Sequence, residues 1–369
     1  MRASSTTAAC LIALLVAPVF SLPVEYFYGG DQQQGSQEQP VEEPIEDGVE
    51  NQGLFYGTAP GEQEDKELIS LFSPSKEIGQ VSGLAINAEG HIVAFHRSGR
   101  VWDEKSFNDD ETFNKDLGPI PNKTIAIISK DQKTVDEFGE GLFYMPHGLT
   151  IDSKGDYWVT DVGSHQVHKI DAKTQKIVMS LGEKLVPGED EKHFCKPTDV
   201  AVAKNGHIFV ADGYCNSRIL KFDSKGNLMA QINAAIEDNQ PSEFAVPHSL
   251  ALIEDMNIVC VADRENQRVQ CFSAGLSEGD RTLPTGIPIT SATDIGRVYA
   301  IREKEHFLIG VTGKSDDVEA QMFSIDMKTG KTETFAKGLG DTHALAVASD
   351  GAMYVSQLEP ARLVEVRLY

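Results

Sequence analysis

The chain is short of basic charge: 33 lysines and arginines face 56 aspartates and glutamates, a formal net charge of −23. Sequence-independent binding of nucleic acid needs basic stripes to neutralise phosphate, so this balance excludes that class. No long apolar run occurs beyond the N-terminus, which argues against a stably membrane-spanning mature protein. Long helical patterns are absent too. What is present is 40% hydrophobic residues over 369 positions, enough for a large core and too many for a wholly disordered chain. Length alone allows two or three domains, although all-β propellers often run longer as one unit.

Arg2 and the apolar stretch over residues 8–20, broken by Pro18 and followed by the small Ser21, read as a secretory signal peptide over residues 1–21. A secreted or granule-lumen protein is therefore expected. Residues 22–74 read as an acidic, disordered linker or pro-segment. Up to Lys66 they hold eleven acidic side chains, and they are rich in Gln, Glu, Gly and Pro, too polar to offset the entropy of ordering. No dibasic site marks a cleavage point. Of five cysteines, Cys10 lies in the signal. The other four, Cys195, Cys215, Cys260 and Cys271, suggest two disulfides with three possible pairings. The nearest-neighbour pairing closes two short loops and is preferred. Asn122-Lys123-Thr124 is a glycosylation sequon, usable on a secretory route.

From residue 75 onward a period of about fifty residues governs the pattern. It is clearest in the lines starting at Pro146, Pro197, Pro247 and Thr342, with weaker copies at Val81 and Ser291, and Asp161, Asp212 and Asp263 recur at intervals of 51. Each copy alternates apolar and polar residues in short runs separated by turns. Six such copies predict an all-β chain, a six-bladed NHL-like β-propeller over residues 75–369. The recurring aspartates, with Arg218 and Arg268, are expected to be blade turns and inter-blade pairs.

At the start of each first strand, where a propeller opens to its axis, the copies carry Gly83, His147, Thr198-Asp199, His248, Thr293-Asp294 and His343. The three histidines lie 101 and 95 residues apart. Two blades of a six-fold ring subtend about 120°, so the imidazoles should converge on the axis. Three such ligands with a fourth position open suit a catalytic zinc. The other histidines (His91, His96, His165, His168, His193, His207, His306) lack this register and are expected to be surface or blade residues, with His165 and His168 on opposite faces of one strand. Tyr214 stands beside Cys215, Arg264 lies within the Cys260–Cys271 loop, and Arg97 falls at the equivalent turn of the first blade. A divalent cation and a guanidinium beside Tyr214 should lower its pKa and suit it to act as a general base. Arg264 suits a carboxylate.

The strings FHRSGRVWD, LFYMPHGL, HFCKPTDVAV, FVADGYCNSRI, VPHSLAL and VCVADRENQRVQCF resemble the peptidyl-α-hydroxyglycine α-amidating lyases over about residues 75–369. The resemblance implies cleavage of a peptidyl-α-hydroxyglycine to an amidated peptide and glyoxylate. It places the zinc ligands at His147, His248 and His343, the catalytic tyrosine at Tyr214, active-site arginines at Arg97 and Arg264, and disulfides at Cys195–Cys215 and Cys260–Cys271. It also implies a structural calcium held by the carbonyls of Leu84 and Leu149 and by one aspartate. Ala344 stands at that aspartate's position, which should weaken the calcium site strongly unless Asp199 or Asp294 substitutes. A catalytically impaired peptide-binding propeller is the alternative reading. A calcium lactonase is disfavoured, since imidazoles rather than carboxylates line the channel. Residues 1–75 cannot hold the copper monooxygenase to which such lyases are often fused, so a separate monooxygenase is expected to supply the substrate of a monomeric lyase.

Overall fold

The computed structural model describes residues 67–235, 242–276, 283–315 and 318–369. The signal peptide expected over residues 1–21, and the linker up to residue 66, lie outside the described residues.

β1 (Glu67–Phe72) precedes five antiparallel sheets that follow one another in sequence order. Blade I holds β2 (Val81–Ile86), β3 (Ile92–His96), β4 (Ile125–Ile128) and β5 (Thr134–Phe138). Blade II holds β6 (Pro146–Ile151), β7 (Tyr157–Asp161), β8 (Gln166–Ile170) and β9 (Ile177–Leu181). Blade III holds β10 (Pro197–Val202), β11 (Ile208–Asp212), β12 (Arg218–Phe222) and β13 (Leu228–Ile232). Blade IV holds β14 (Pro247–Ile253), β15 (Ile258–Asp263), β16 (Arg268–Ser273) and β17 (Pro288–Ala292). Blade V holds β18 (Arg297–Lys304), β19 (Phe307–Gly313), β20 (Met322–Asp326) and β21 (Thr332–Phe335). Blade VI has β22 (Thr342–Val347), β23 (Met353–Gln357) and β24 (Arg362–Leu368), with β1 as its outer strand.

The innermost strands of every blade but V are mostly buried, while outer strands such as β9 and β13 alternate between partly buried and exposed positions. That is the period of two expected when only one face of an outer strand meets a neighbour. The cores lie between blades. Phe95 and Phe143 join Val159 between I and II; Trp158 and Val167 join Val210 and Leu220 between II and III. Phe209 meets Phe272 between III and IV, Val269 meets Val298 between IV and V, and Met322 meets Val355 between V and VI. Ala344 and Tyr354 meet Leu84 and Ala94, so VI packs back on I and the ring closes. Each large apolar side chain buried there contributes about 1.5–3 kcal/mol.

Closure also corrects the expected boundary at residue 75. β1 pairs with β24 over its whole length, from Glu67 with Leu368 to Phe72 with Leu363. Residues 67–72, read as the end of the linker, are a strand of the propeller. Local periodicity could not reveal a strand whose partner lies almost 300 residues away.

The recurring aspartates work within blades rather than between them. Asp161 accepts from the Tyr144 and Met145 amides at 2.7 Å each; Asp212 accepts from Cys195 N at 2.8 Å and Arg218 Nε at 3.0 Å. Asp263 accepts from Ala245 N and Arg268 Nε, both at 2.7 Å. Each carboxylate ties the end of a second strand to the segment entering the same blade. Burial pushes the Asp212 carboxyl up to about 6 despite the Asn216, Cys195 and Arg218 donors that oppose it.

Candidate active site

One residue near the start of each innermost strand, skipped where the pairing with the second strand shifts register, lines the central cavity: Ser82, His147, Thr198, His248, Tyr299 and His343. Two sequence expectations shift by this register. Ser82, not Gly83, matches the histidines in blade I, and Tyr299, not Thr293-Asp294, does so in blade V. Thr293 and Asp294 are exposed residues of the loop before β18. The signal for Tyr299 was available, since it lies 51 residues after His248, the interval already set by the aspartates.

The three imidazoles do converge. Ring centroids are 4.8 Å apart for His147–His248, 4.8 Å for His147–His343 and 4.9 Å for His248–His343, a nearly equilateral triangle. One ligand atom from each lies within 4.8 Å of the others, and all three residues are buried.

One contact recurs in all three. Nδ1 of His147 lies 2.7 Å from the Thr198 carbonyl oxygen, that of His248 2.6 Å from Tyr299 O, and that of His343 3.0 Å from Ser82 O. A carbonyl only accepts, so each Nδ1 carries the proton and donates to the next blade, leaving Nε2 as a bare lone pair. Burial holds the rings neutral. It lowers His147 to about 3, helped by the Arg97 charge, and takes His248 and His343 well below the usual imidazole value.

Tyr214 comes from the turn after β11. Gly213 is required beside it, because a Cβ there would lie 2.1 Å from the Pro247 carbonyl oxygen. The Cys195–Cys215 disulfide fastens the same turn to the segment entering blade III, and Cys260–Cys271 bridges paired strands of blade IV, the expected pairing in both cases. The phenol oxygen stands 2.9 Å from His147 Nε2 and 3.2 Å from His248 Nε2. With a single proton it can donate to only one of these lone pairs at a time. The expected lowering of its pKa is not produced by the protein groups: burial raises it, outweighing the opposing pull of Arg264 and Arg97.

Arg97 and Arg264 immediately follow the second strands of blades I and IV. Arg97 Nε donates to Pro146 O at 3.1 Å, so this arginine also stitches blade I to the start of the His147 strand. The Arg264 guanidinium lies over two phenol rings, 5.4 Å from Tyr214 and 5.0 Å from Tyr299, while its Nε donates to Glu265 at 2.7 Å. Glu265 is shared with Arg297, so positive charge is left beside the triad. Trp102, which carried no expectation, packs edge-on against Tyr214 at 4.9 Å and lies under Arg97 at 5.6 Å.

The donor set fits one metal and not the other. Three neutral imidazoles, each held through Nδ1 by a backbone carbonyl, are a zinc-type ligand set. Calcium needs several hard oxygens, including carboxylate. Ala344 supplies none. Asp199 is already committed, accepting from Val200 N at 3.0 Å, Ser249 Oγ at 2.8 Å, Leu250 N at 3.1 Å and Arg302 Nη1 at 3.3 Å. Asp294 is exposed and takes the Thr293 hydroxyl at 3.0 Å. The Leu149 carbonyl receives Arg302 Nη2 at 3.4 Å. The Leu84 side chain is packed in the interface between blades VI and I.

Of the other histidines, His96, His165 and His168 are buried. His165 precedes β8 with φ of 58°, so it lies in a turn and does not share a strand with His168. Asn122 is exposed, its amide donating to Ser98 Oγ at 3.2 Å. Among the described residues no helix is long and apolar enough to cross a membrane.

Comparison with known proteins agrees with this architecture. The NHL repeat family matches residues 143–170, 194–222 and 244–272, in blades II, III and IV. A gluconolactonase structure from Xanthomonas campestris superposes with a TM-score of 0.54 at 13% identity, covering 83% of this chain and 91% of that one, a likeness of fold alone. The mouse "Peptidyl-glycine alpha-amidating monooxygenase" is 39% identical over 75% of this chain, which spans only 29% of that protein. The "Probable peptidyl-alpha-hydroxyglycine alpha-amidating lyase pgal-1" of Caenorhabditis elegans is 79% identical over the full length of both chains. The chain belongs to the peptidyl-α-hydroxyglycine α-amidating lyases.

Proposed function

We propose that this lyase is a zinc enzyme that splits peptidyl-α-hydroxyglycine into a C-terminally amidated peptide and glyoxylate, with His147, His248 and His343 as ligands. The reading rests on one observation: three Nδ1 protons are anchored on three backbone carbonyls, which leaves three neutral Nε2 lone pairs facing the axis. When bound, zinc supplies positive charge that favours the substrate alkoxide and the Tyr214 phenolate over their protonated forms.

Tyr214, as phenolate, takes the proton of the substrate hydroxyl. As the hydroxyl oxygen becomes the aldehyde oxygen of glyoxylate, the C–N bond breaks. The departing amide nitrogen keeps that electron pair and receives the proton back from Tyr214, so no oxidant or water is consumed. Arg264 holds the carboxylate that leaves in glyoxylate, its planar fork matched to two oxygens. Arg97 adds positive charge near the phenol and fixes the strand end that presents His147.

Secretion and glycosylation at the exposed Asn122 belong to the same proposal, as does supply of the hydroxyglycine by a separate copper monooxygenase. The likeness to an amidating monooxygenase supports that last step. Glyoxylate release from an α-hydroxyglycine peptide, read beside zinc content, tests the reading. About one zinc per chain is expected, with activity lost on its removal and restored by its return. Full activity in zinc-free protein would overturn the reading.

A further inference from the structure

Further along the channel than the triad, Arg302 of blade V reaches across the axis. Its Nη1 donates to Ser249 Oγ at 3.0 Å, to its neighbour's carbonyl Ile301 O at 2.7 Å and to Asp199 Oδ2 at 3.3 Å, and Nη2 meets Leu149 O at 3.4 Å. These oxygens come from β6, β10, β14 and β18, four consecutive blades. Asp199 is buried, and Arg302 lines the same cavity as the three histidines and Ala344.

We infer that the Arg302 guanidinium is a built-in cation that holds these blades together where the family resemblance implies a calcium, so that this enzyme binds no structural calcium. Three observations carry this. The carbonyl of Leu149 already faces a fixed positive group. Asp199, the buried carboxylate that lines this cavity among the described residues, has its charge matched by that same group. Where a calcium-binding carboxylate would be needed, Ala344 instead packs into the apolar interface between blades VI and I.

A guanidinium suits the task because its planar set of donors can meet carboxylate, hydroxyl and carbonyl oxygens together. Unlike an ion it cannot dissociate, so the blade packing beneath the triad does not depend on metal supply. Ser249 and Asp199 adjoin His248 and Thr198, the carbonyl partner of His147. Arg302 is therefore a positioning residue for two of the three imidazoles.

The test compares the full-length wild-type protein with Arg302→Ser, Arg302→Lys and the double variant Arg302→Ser/Ala344→Asp. Zinc and calcium contents are measured by elemental analysis after equilibration with 1 mM CaCl2, and Tm is recorded with and without calcium. The wild type should carry zinc but less than about 0.1 calcium per chain, with the same Tm in both buffers. Arg302→Ser should lower Tm by several degrees and weaken zinc retention, and Arg302→Lys should recover part of both. The double variant should gain close to one calcium and a Tm that rises with calcium. About one calcium per wild-type chain, or a wild-type Tm raised by calcium, overturns the inference whether or not any variant folds. Because zinc is counted in the same samples, failure of this inference is separable from failure of the zinc assignment.

Discussion

His343 Nδ1 donates to the carbonyl oxygen of Ser82 at 3.0 Å across 261 residues of sequence, so the last imidazole of the triad is held by the first blade. The site is complete only when the ring is closed. Phe72 of β1 packs edge-on against Tyr354 of β23 at 5.2 Å, linking closure to the same blade. Phe72→Ala should cost about 3–5 kcal/mol of stability, read by denaturant unfolding, because a buried aromatic leaves a cavity. Weakened zinc retention should accompany it.

Removing an imidazole differs from removing closure. His248→Ala should lower kcat/KM by roughly 10²–10³-fold or more, the scale seen when one preorganised group is lost from an active site. Zinc content should fall in parallel, with Tm changing much less than in Phe72→Ala. A variant that kept zinc and full activity would remove His248 from the ligand set.

The two phenols near Arg264 should behave differently. Tyr214→Phe should reduce kcat by about 10²–10⁴-fold, the usual worth of a positioned general base, with zinc retained. Tyr299→Phe should cost less than about tenfold, because it is the Tyr299 carbonyl, not its hydroxyl, that anchors His248. Steady-state kinetics beside elemental analysis separates them.

Disulfide removal should separate stability from catalysis. Cys195→Ala/Cys215→Ala opens a link across 20 residues, worth about 3 kcal/mol on the chain-entropy scale. The bridge also fastens the Tyr214 turn, so kcat should fall as well. Cys260→Ala/Cys271→Ala, joining strands that are already paired, should lower Tm with a smaller effect on kcat.

Acid should destabilise the fold through two histidines that take no part in the triad. Burial lowers His96 and His165 to about 4, and the Nε2 of each has no hydrogen-bond partner among the described residues. Their folded values lie below the unfolded value of 6.5, so the unfolded chain takes up protons first. Stability is complete above about pH 6.5 and falls as pH drops towards 4, by up to about 3 kcal/mol per residue. Chemical denaturation across that range should show a shallower pH slope for His165→Gln than for the wild type.

By itself the sequence determined the six-fold repeat and the choice of His147, His248 and His343, because a period of about fifty residues turns linear spacing into angle around an axis; it left three disulfide pairings open, of which the structure shows the nearest-neighbour one. It singled out Tyr214 by its place beside Cys215, Arg264 by its place in the Cys260–Cys271 loop and Arg97 by the equivalent turn of the first blade. Tertiary structure decided what linear spacing cannot carry. β1 joins the last blade because its partner strand is remote in sequence. Tyr299, rather than Thr293-Asp294, faces the axis because the preceding loop sets where β18 begins. The anchoring of each Nδ1 on the next blade, and the reach of Arg302 to oxygens of three other blades, exist only once the blades have packed together, since each depends on groups about fifty or more residues apart meeting within hydrogen-bond distance.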